Sequence, residues 1–327
     1  MFGVCKTIAI ATTIFTLACA SDATAPDAAA VKPPTPLTPP ADSSTVTPPH
    51  GQIAFVGPAG QIELMNADGS GVVTLTAARG SDPAWSPDGA KLAFTGDSGI
   101  FVMNADGTGV VHVTTGGIEP AWSPDGSRIA FVMFQPDSTE GQPTFDARIA
   151  VVNADGSGFA WLSSGPDDQS PAWSHDGSQI AFVRSFNDEI TPSGIFVTPT
   201  AAPSVVVLRS YLPRGDLCAQ SAPAWSPNGK SLLFWTVCPN GPSSFSGPFG
   251  FAIGNADGSG AMTPIVSDVD ETYYSKPAWS PDGNWIVFSS PGLQLDATNS
   301  RIYLIGAQGS KATALAQGYE PAWRPAR

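Results

Sequence analysis

Short apolar segments separated by turn residues repeat along the chain from residue 52 onwards. The clearest group holds four segments of four to six residues each, at 82–85, 91–96, 99–104 and 110–115. Segments of this length, bounded by Pro, Asp, Asn and Gly, are typical of strands rather than helices. Ser-Pro-Asp-Gly joins the first two, because Pro presets φ and Asp and Gly suit the later turn positions. The pattern predicts four short strands, A to D, joined by tight turns.

Two motifs recur with this strand pattern. Pro-Ala-Trp occurs six times, at separations of 37, 51, 52, 54 and 44 residues, with its tryptophans at Trp85, Trp122, Trp173, Trp225, Trp279 and Trp323. Asn-Ala-Asp-Gly-(Ser/Thr)-Gly occurs four times, beginning at Asn66, Asn104, Asn153 and Asn255. Units of about 40 residues with four strands and a periodic Trp are typical of β-propeller blades. We expect the tryptophans to pack between neighbouring blades rather than to stack on a ligand.

The two ends of the repeat region complete one another. The region begins at a B strand (52–56) with no Pro-Ala-Trp before it, and it ends at Glu320–Trp323 with no B strand after it. Pairing these two strands leaves no edge strand unpaired. The 34 Gly and 32 Pro residues leave little room for long helices. The sequence therefore predicts an all-β domain over residues 51–327: a six-bladed β-propeller of four-stranded antiparallel blades, closed by the C-terminal strand completing blade 1.

These motifs carry a family resemblance. Pro-Ala-Trp-Ser-Pro-Asp-Gly, the strand that follows it and the Asn-Ala-Asp-Gly turn resemble the propeller repeats of the TolB family over roughly residues 52–325. The resemblance implies a propeller fold. In TolB itself the resemblance implies a sizeable α/β domain before the propeller, whereas in this chain a Pro/Thr-rich segment precedes the propeller. The resemblance is therefore limited to the propeller.

The first 50 residues read as an export and anchoring segment. Lys6 precedes an apolar run, 7–18, that is too short to span a bilayer and predicts a signal peptide over residues 1–18. Cys19 follows Thr-Leu-Ala and is the predicted lipidation site, while ordinary signal cleavage at Ala-Cys-Ala is the alternative. Residues 19–50 then form a Pro/Thr-rich tether. We expect an exported protein of the bacterial periplasm or outer membrane that contacts the membrane only through its lipid.

The net charge and the histidine positions limit the kinds of ligand binding and catalysis that the sequence supports. A formal charge of −13 opposes nucleic-acid binding, which rests on Lys and Arg at phosphates. The three histidines, His50, His112 and His175, fall in unrelated places, and no G-x-S-x-G elbow exists. We therefore predict no cofactor and no histidine-bound metal. Any catalysis would have to use carboxylates.

Long connections concentrate on one side of the predicted propeller. A–B and C–D turns leave one face, whereas B–C and D–A connections leave the other, which we call the loop face. The long connections are all of the second kind, at 134–146, 185–193, 209–221, 237–250, 267–276 and 290–300. Insertions on one face are typical of a binding surface, the alternative being neutral loop growth. The aromatic candidates for partner contact are Phe134, Phe145, Phe186, Tyr211, Phe245, Phe249, Tyr273 and Tyr274.

The residue before each Pro-Ala-Trp should open strand A on the loop face, beside the propeller axis. In blade order these residues are Glu320, Asp82, Glu119, Ser170, Ala222 and Lys276. The three neighbouring acids at the channel mouth make a candidate binding site for an ammonium group or for a cation such as calcium, and Lys276 is a further candidate for partner contact. A solvated acidic rim is the alternative interpretation.

Cysteine positions add one expectation. Cys218 precedes strand A of blade 5 and Cys238 follows strand B of the same blade, so both lie on the loop face. Export permits disulfides, and we predict a bond between them, with two free thiols as the alternative.

Together these observations favour a monomeric, non-catalytic propeller that binds a protein or peptide of the cell envelope through the loop face of blades 3–6. The alternative is a carbohydrate-active lyase or hydrolase that uses carboxylates at the channel mouth. Propellers host both classes, so the fold does not choose between them.

Overall fold

The computed structural model describes residues 49–137, 144–165, 167–186, 193–201, 207–209, 219–237, 249–260, 262–265, 276–290, 300–309 and 311–326. Every regular element in these ranges is a β-strand, and the strands form six four-stranded antiparallel sheets. The prediction of a six-bladed all-β propeller is confirmed.

The first three blades contain twelve strands, named here in the order A to D. Blade 1 consists of β24 (Tyr319–Trp323), β1 (Gln52–Val56), β2 (Gln61–Asn66) and β3 (Val73–Arg79). Blade 2 consists of β4 (Ser81–Trp85), β5 (Lys91–Gly96), β6 (Gly99–Asn104) and β7 (Val111–Thr115). Blade 3 consists of β8 (Ile118–Trp122), β9 (Arg128–Asp137), β10 (Thr144–Asn153) and β11 (Ala160–Trp161).

The last three blades follow the same order. Blade 4 consists of β12 (Asp168–Trp173), β13 (Gln179–Arg184), β14 (Gly194–Pro199) and β15 (Val207–Arg209). Blade 5 consists of β16 (Ala219–Trp225), β17 (Ser231–Val237), β18 (Phe249–Asn255) and β19 (Thr263–Ile265). Blade 6 consists of β20 (Ala278–Trp279), β21 (Trp285–Ser290), β22 (Arg301–Gly306) and β23 (Thr313–Gln317).

The C-terminal strand closes the ring as expected. β24 pairs antiparallel with β1, with Ile53 opposite Trp323 and Ala54 opposite Ala322. The backbone then continues beside blade 2, where the Arg324 guanidinium lies 4.7 Å from the centre of the Trp85 ring and donates to the Gly89 carbonyl. The last strand therefore completes blade 1, and the residue that follows it connects blade 1 to blade 2.

The core lies between blades, and the Pro-Ala-Trp motif organises it. Each Trp indole N–H donates to a backbone carbonyl outside its own sheet at 3.0–3.3 Å, and in five of the six motifs the acceptor is the Ala carbonyl of the preceding Pro-Ala-Trp. Trp323 is the exception, because it donates to the His50 carbonyl at the closure. The predicted packing role of the tryptophans is confirmed.

The short-turn face is built from self-contained tetrapeptides. In blade 2 the Ser86 hydroxyl donates to Asp88 at 2.6 Å, and the Gly89 N–H donates to the Ser86 carbonyl at 2.8 Å. The same hydroxyl-to-carboxylate bond in blades 3 and 4 lowers the pKa of Asp125 and that of Asp176 to about 2. These turns satisfy their own polar groups, as the motif predicts.

One predicted connection differs from the structure. The segment 134–146 was expected to be a loop, but β9 and β10 continue as a paired ladder as far as Asp137 opposite Thr144. Phe134 lies opposite Ala147 and Gln135 opposite Asp146, so the insertion lengthens the hairpin instead of forming a loop between unchanged strands. The repeat of the motifs fixes where a blade starts, but it carries no information on where an inserted hairpin stops pairing.

Candidate functional site at the channel mouth

The residue before each Pro-Ala-Trp has an unusual backbone conformation. Five of these residues have a left-handed φ between 50° and 55°, namely Asp82, Glu119, Ser170, Ala222 and Glu320. This conformation is unfavourable for residues with a Cβ, and a following Pro restricts the backbone further. The ladder register shifts at the same place, so each is the extra residue of a β-bulge. We call these five the bulge residues.

Four of the bulge residues donate their N–H to a side chain of the preceding blade. The Asp82 N–H donates to the Glu320 carboxylate at 2.6 Å, and the Ser170 N–H donates to the Glu119 carboxylate at 2.7 Å. The Glu119 N–H instead donates to the hydroxyl of Thr95 at 3.1 Å. The Glu320 N–H donates to the hydroxyl of Ser289 at 3.4 Å. These bonds tie consecutive blades together at the loop-face end of the channel.

The residue at one position of strand B determines which side chain accepts the N–H of the next bulge residue. Thr95 and Ser289 each lie three residues after the B-strand residue paired with the motif Trp, and a hydroxyl there accepts the next bulge N–H. The same position holds Val56 in blade 1 and Val132 in blade 3, which have no acceptor. In those two blades the bulge residue itself is Glu, and its carboxylate takes over. Glu320 and Glu119 are therefore structural acceptors.

Burial dominates the protonation of these glutamates. It raises the pKa of Glu320 to about 8, and the nearby Asp82 carboxylate raises this pKa as well, while the Asp82 N–H and Lys276 act in the opposite direction. Burial also raises the pKa of Glu119, opposed by Lys276. Both glutamates therefore keep their protons to higher pH than exposed glutamates do.

An axial cavity of about 570 Å³ runs along the inner strands. All six Pro-Ala-Trp motifs line it, with Asp82, Lys276 and Glu320 at its loop-face end. Asp82, Lys276 and Glu320 are thus placed at the axis as predicted, whereas Glu119, Ser170 and Ala222 do not line the cavity, and Glu119 is half-buried. Within the described ranges no three His, Cys, Asp or Glu side chains are arranged to hold a metal ion.

The aromatic candidates separate into three groups. Phe134 lies on β9 with 37 % of its surface exposed, and the half-buried Phe186 contacts Phe196 edge-on at 6.2 Å between ring centres. Phe145 and Phe249 lie on β10 and β18, where only their backbone is described. The remaining predicted contacts lie outside the described residues: Tyr211, Phe245, Tyr273, Tyr274, and also Cys19, Cys218 and Cys238.

Sequence reasoning missed the residues that complete the mouth. Thr95 and Ser289 attract no attention singly, because each is a small polar residue in a strand. The exchange of a B-strand hydroxyl for Val, matched by Glu at the bulge, becomes visible when the six repeats are aligned on their Trp residues. That alignment is the signal that could have found them.

Within the described part of the chain, no helix is long and apolar enough to cross a membrane.

Comparison with known proteins supports the propeller resemblance. Residues 54–198 match the family model described as TolB beta propeller domain. Among solved structures, TolB from Acinetobacter baumannii is similar at 20 % identity, covering 84 % of this chain and 67 % of that chain with a TM-score of 0.64.

Two further solved structures share the fold at lower identity. A nidogen/laminin complex matches at 12 % identity over 84 % of this chain and 98 % of the other, with a TM-score of 0.61. An oligogalacturonate lyase in complex with manganese matches at 13 % identity over 79 % and 70 %, with a TM-score of 0.55. Such likenesses concern the fold alone.

Proposed function

We propose that this TolB-like β-propeller is a non-catalytic exported protein that binds a protein or peptide of the cell envelope through its loop face. The observation that carries the proposal is the hairpin β9–β10 of blade 3. The equivalent hairpin of blade 2 closes at Gly96 opposite Gly99, whereas this one continues for four more residue pairs. At about 3.4 Å per residue the extension adds about 14 Å to the loop face.

The extension has the character of a contact surface. Phe134 begins it with a partly exposed ring, and Asp146 and Arg148 form an ion pair at 3.0 Å on the facing strand. Exposed aromatic side chains beside charged groups are common in protein interfaces. The opposite face consists of tight turns whose polar groups already bond within the turn, so it offers fewer free donors and acceptors.

The carboxylate arrangement favours binding over catalysis. Two of the three acids at the mouth, Glu119 and Glu320, accept backbone N–H groups and hold neighbouring blades together. Each of these carboxylates thus has a structural role that requires no catalysis. A solved relative by fold is named an oligogalacturonate lyase, so this activity is included in the test below.

The test replaces the hairpin with its own short counterpart. In one variant, residues 133–148 are exchanged for Gly-Asp-Ser-Gly, the sequence of the blade 2 turn at 96–99. A matched control, Val111→Thr, removes an exposed apolar group from the outer strand β7. We expect an envelope protein captured by the parent and by the control to be lost with the shortened hairpin. Equal capture by all three, or turnover of oligogalacturonate by the parent, would overturn the proposal.

Export and anchoring belong to the same proposal. The apolar run and Cys19 in the N-terminal segment support secretion followed by lipidation. Cys19→Ser should release the protein from the membrane fraction into the soluble envelope fraction. Unchanged fractionation, with no lipid on the mature N-terminus by mass spectrometry, would instead support ordinary signal cleavage.

A further inference from the structure

The bulge of blade 5 lacks the acceptor that the other bulges have. Ala222 lies in the register shift of β16, outside the paired positions, and no side chain within the described ranges accepts its N–H. The preceding blade explains why. Its strand-B position holds Val183, and its bulge residue is Ser170 instead of a glutamate. Blade 4 thus has neither a strand-B hydroxyl nor a glutamate at its bulge to accept the N–H of the next blade.

A second donor without an acceptor lies on the same strand. Gln220 is only 4 % exposed, and its side-chain Nε2 has no hydrogen-bond partner in the described structure. It lies opposite Thr236, two residues beyond Phe234, which packs against blade 4 together with Ala181. The Gln220 amide therefore faces blade 4, as the Ala222 N–H does. A buried donor left unpaired costs about 1–3 kcal/mol, so such groups normally have a partner.

We propose that the Ala222 N–H and the Gln220 amide bind a carboxylate of the partner, presented by an acidic side chain of a peptide at the channel mouth between blades 4 and 5. The proposal rests on the proposed function and names the chemistry of its ligand. Both groups are donors, and Lys276, half-buried at the mouth in the next blade, adds positive charge. Asp82, Glu119 and Glu320 lie on blades 1–3, so the side of the ring formed by blades 4–6 presents fewer carboxyl groups to an acidic ligand.

The fold supplies an isosteric test of this assignment. Val183→Thr gives blade 4 the hydroxyl that Thr95 provides in blade 2, and this hydroxyl should accept the Ala222 N–H and compete with the ligand. Val132→Thr is the matched control, because the N–H that it would face, that of Ser170, is already bonded to Glu119. Both changes keep side-chain volume and net charge.

The Ala222 amide can be observed alone. Ser-Ala occurs once in the chain, at 221–222, so labelling with carbonyl-¹³C serine and ¹⁵N alanine leaves a single carbonyl-correlated amide signal in the full-length protein. The probes are acetyl-Gly-Glu-Gly-amide, its Gln counterpart and trigalacturonate, compared at equal ionic strength. We expect a saturable shift with the Glu peptide and none with the Gln peptide. Val183→Thr should weaken binding at least tenfold, and Val132→Thr should leave it unchanged.

Other outcomes have defined meanings. No saturable shift with the Glu peptide, or equal binding by Val183→Thr and the parent, overturns the carboxylate subsite. Tighter binding of trigalacturonate than of the Glu peptide overturns the peptide as its source. If the shortened hairpin keeps its captured protein while the Ala222 signal still responds to the Glu peptide, the hairpin proposal fails and the subsite stands.

Discussion

The Glu320 carboxylate accepts the backbone N–H of Asp82 at 2.6 Å, although 238 positions separate the two residues in the chain. The bond links the strand that closes blade 1 to the first strand of blade 2. It also holds the Asp82 backbone in a left-handed conformation beside the channel. Glu320, which the sequence analysis identifies as a candidate binding residue, thus helps to close the ring.

The raised pKa of Glu320 predicts how stability depends on pH. Between the ordinary glutamate pKa of 4.5 in the unfolded chain and the folded-state pKa of about 8, the folded protein binds more protons than the unfolded chain. The free energy of unfolding should therefore fall as pH rises through this range, and Glu119, whose pKa is also raised, adds to the same trend. Urea unfolding from pH 5 to pH 9 measures it. Glu320→Gln should flatten the dependence, whereas Asp97→Asn, an exposed change, should leave the slope as it is.

Ring closure predicts a large effect of a small truncation. Removing residues 318–327 deletes β24 and leaves β1 with an unpaired edge, so the melting temperature should drop and the protein should tend to aggregate. Removing only residues 326–327 is the control and should melt like the parent. A ten-residue truncation that melts like the parent would mean that β24 contributes nothing to the closed ring.

The buried ion pair of blade 4 gives a third prediction. Asp168 is fully buried and accepts two bonds from Arg184, at 2.6 and 2.9 Å, while the guanidinium lies over Phe182 and Phe196. Arg184→Met should destabilise the fold by about 3–5 kcal/mol, because it leaves a buried carboxylate unpaired. Adding Asp168→Asn should recover part of this loss. A double-mutant cycle by urea unfolding checks the prediction, and additive single effects would contradict it.

The predicted disulfide is testable although both cysteines lie outside the described residues. β16 begins at Ala219 and β17 ends at Val237, and these two residues are paired across the sheet. Cys218 directly precedes Ala219 and Cys238 directly follows Val237, so we expect their Cα atoms to be within the reach of about 7 Å that a disulfide requires. Peptide mapping without reduction should find the cross-link, which should stabilise the fold by about 3 kcal/mol. Two freely alkylated thiols would contradict it.

The sequence alone determined the architecture, because each blade repeats the same local instructions. Pro-Ala-Trp places the inner strand, Ser-Pro-Asp-Gly and Asn-Ala-Asp-Gly place the turns, and the two incomplete ends require that β24 pair with β1. Strand bounds in blade 2 follow the apolar pattern closely, from Lys91–Gly96 to Gly99–Asn104. These features depend on residues close together in the chain or on a motif repeated six times.

Only the tertiary structure decided what the mouth residues do. Whether Glu119 is a free ligand group or a structural acceptor depends on the neighbouring blade, which places the backbone N–H of Ser170 against it, 51 positions away. The left-handed bulge that turns each N–H towards the preceding blade exists because strand A must fit both its own sheet and the narrow axis of the ring. The Ala222 N–H and the Gln220 amide acquire their surroundings in the same way, since β16 packs against the strands of blade 4 only once the blades have closed.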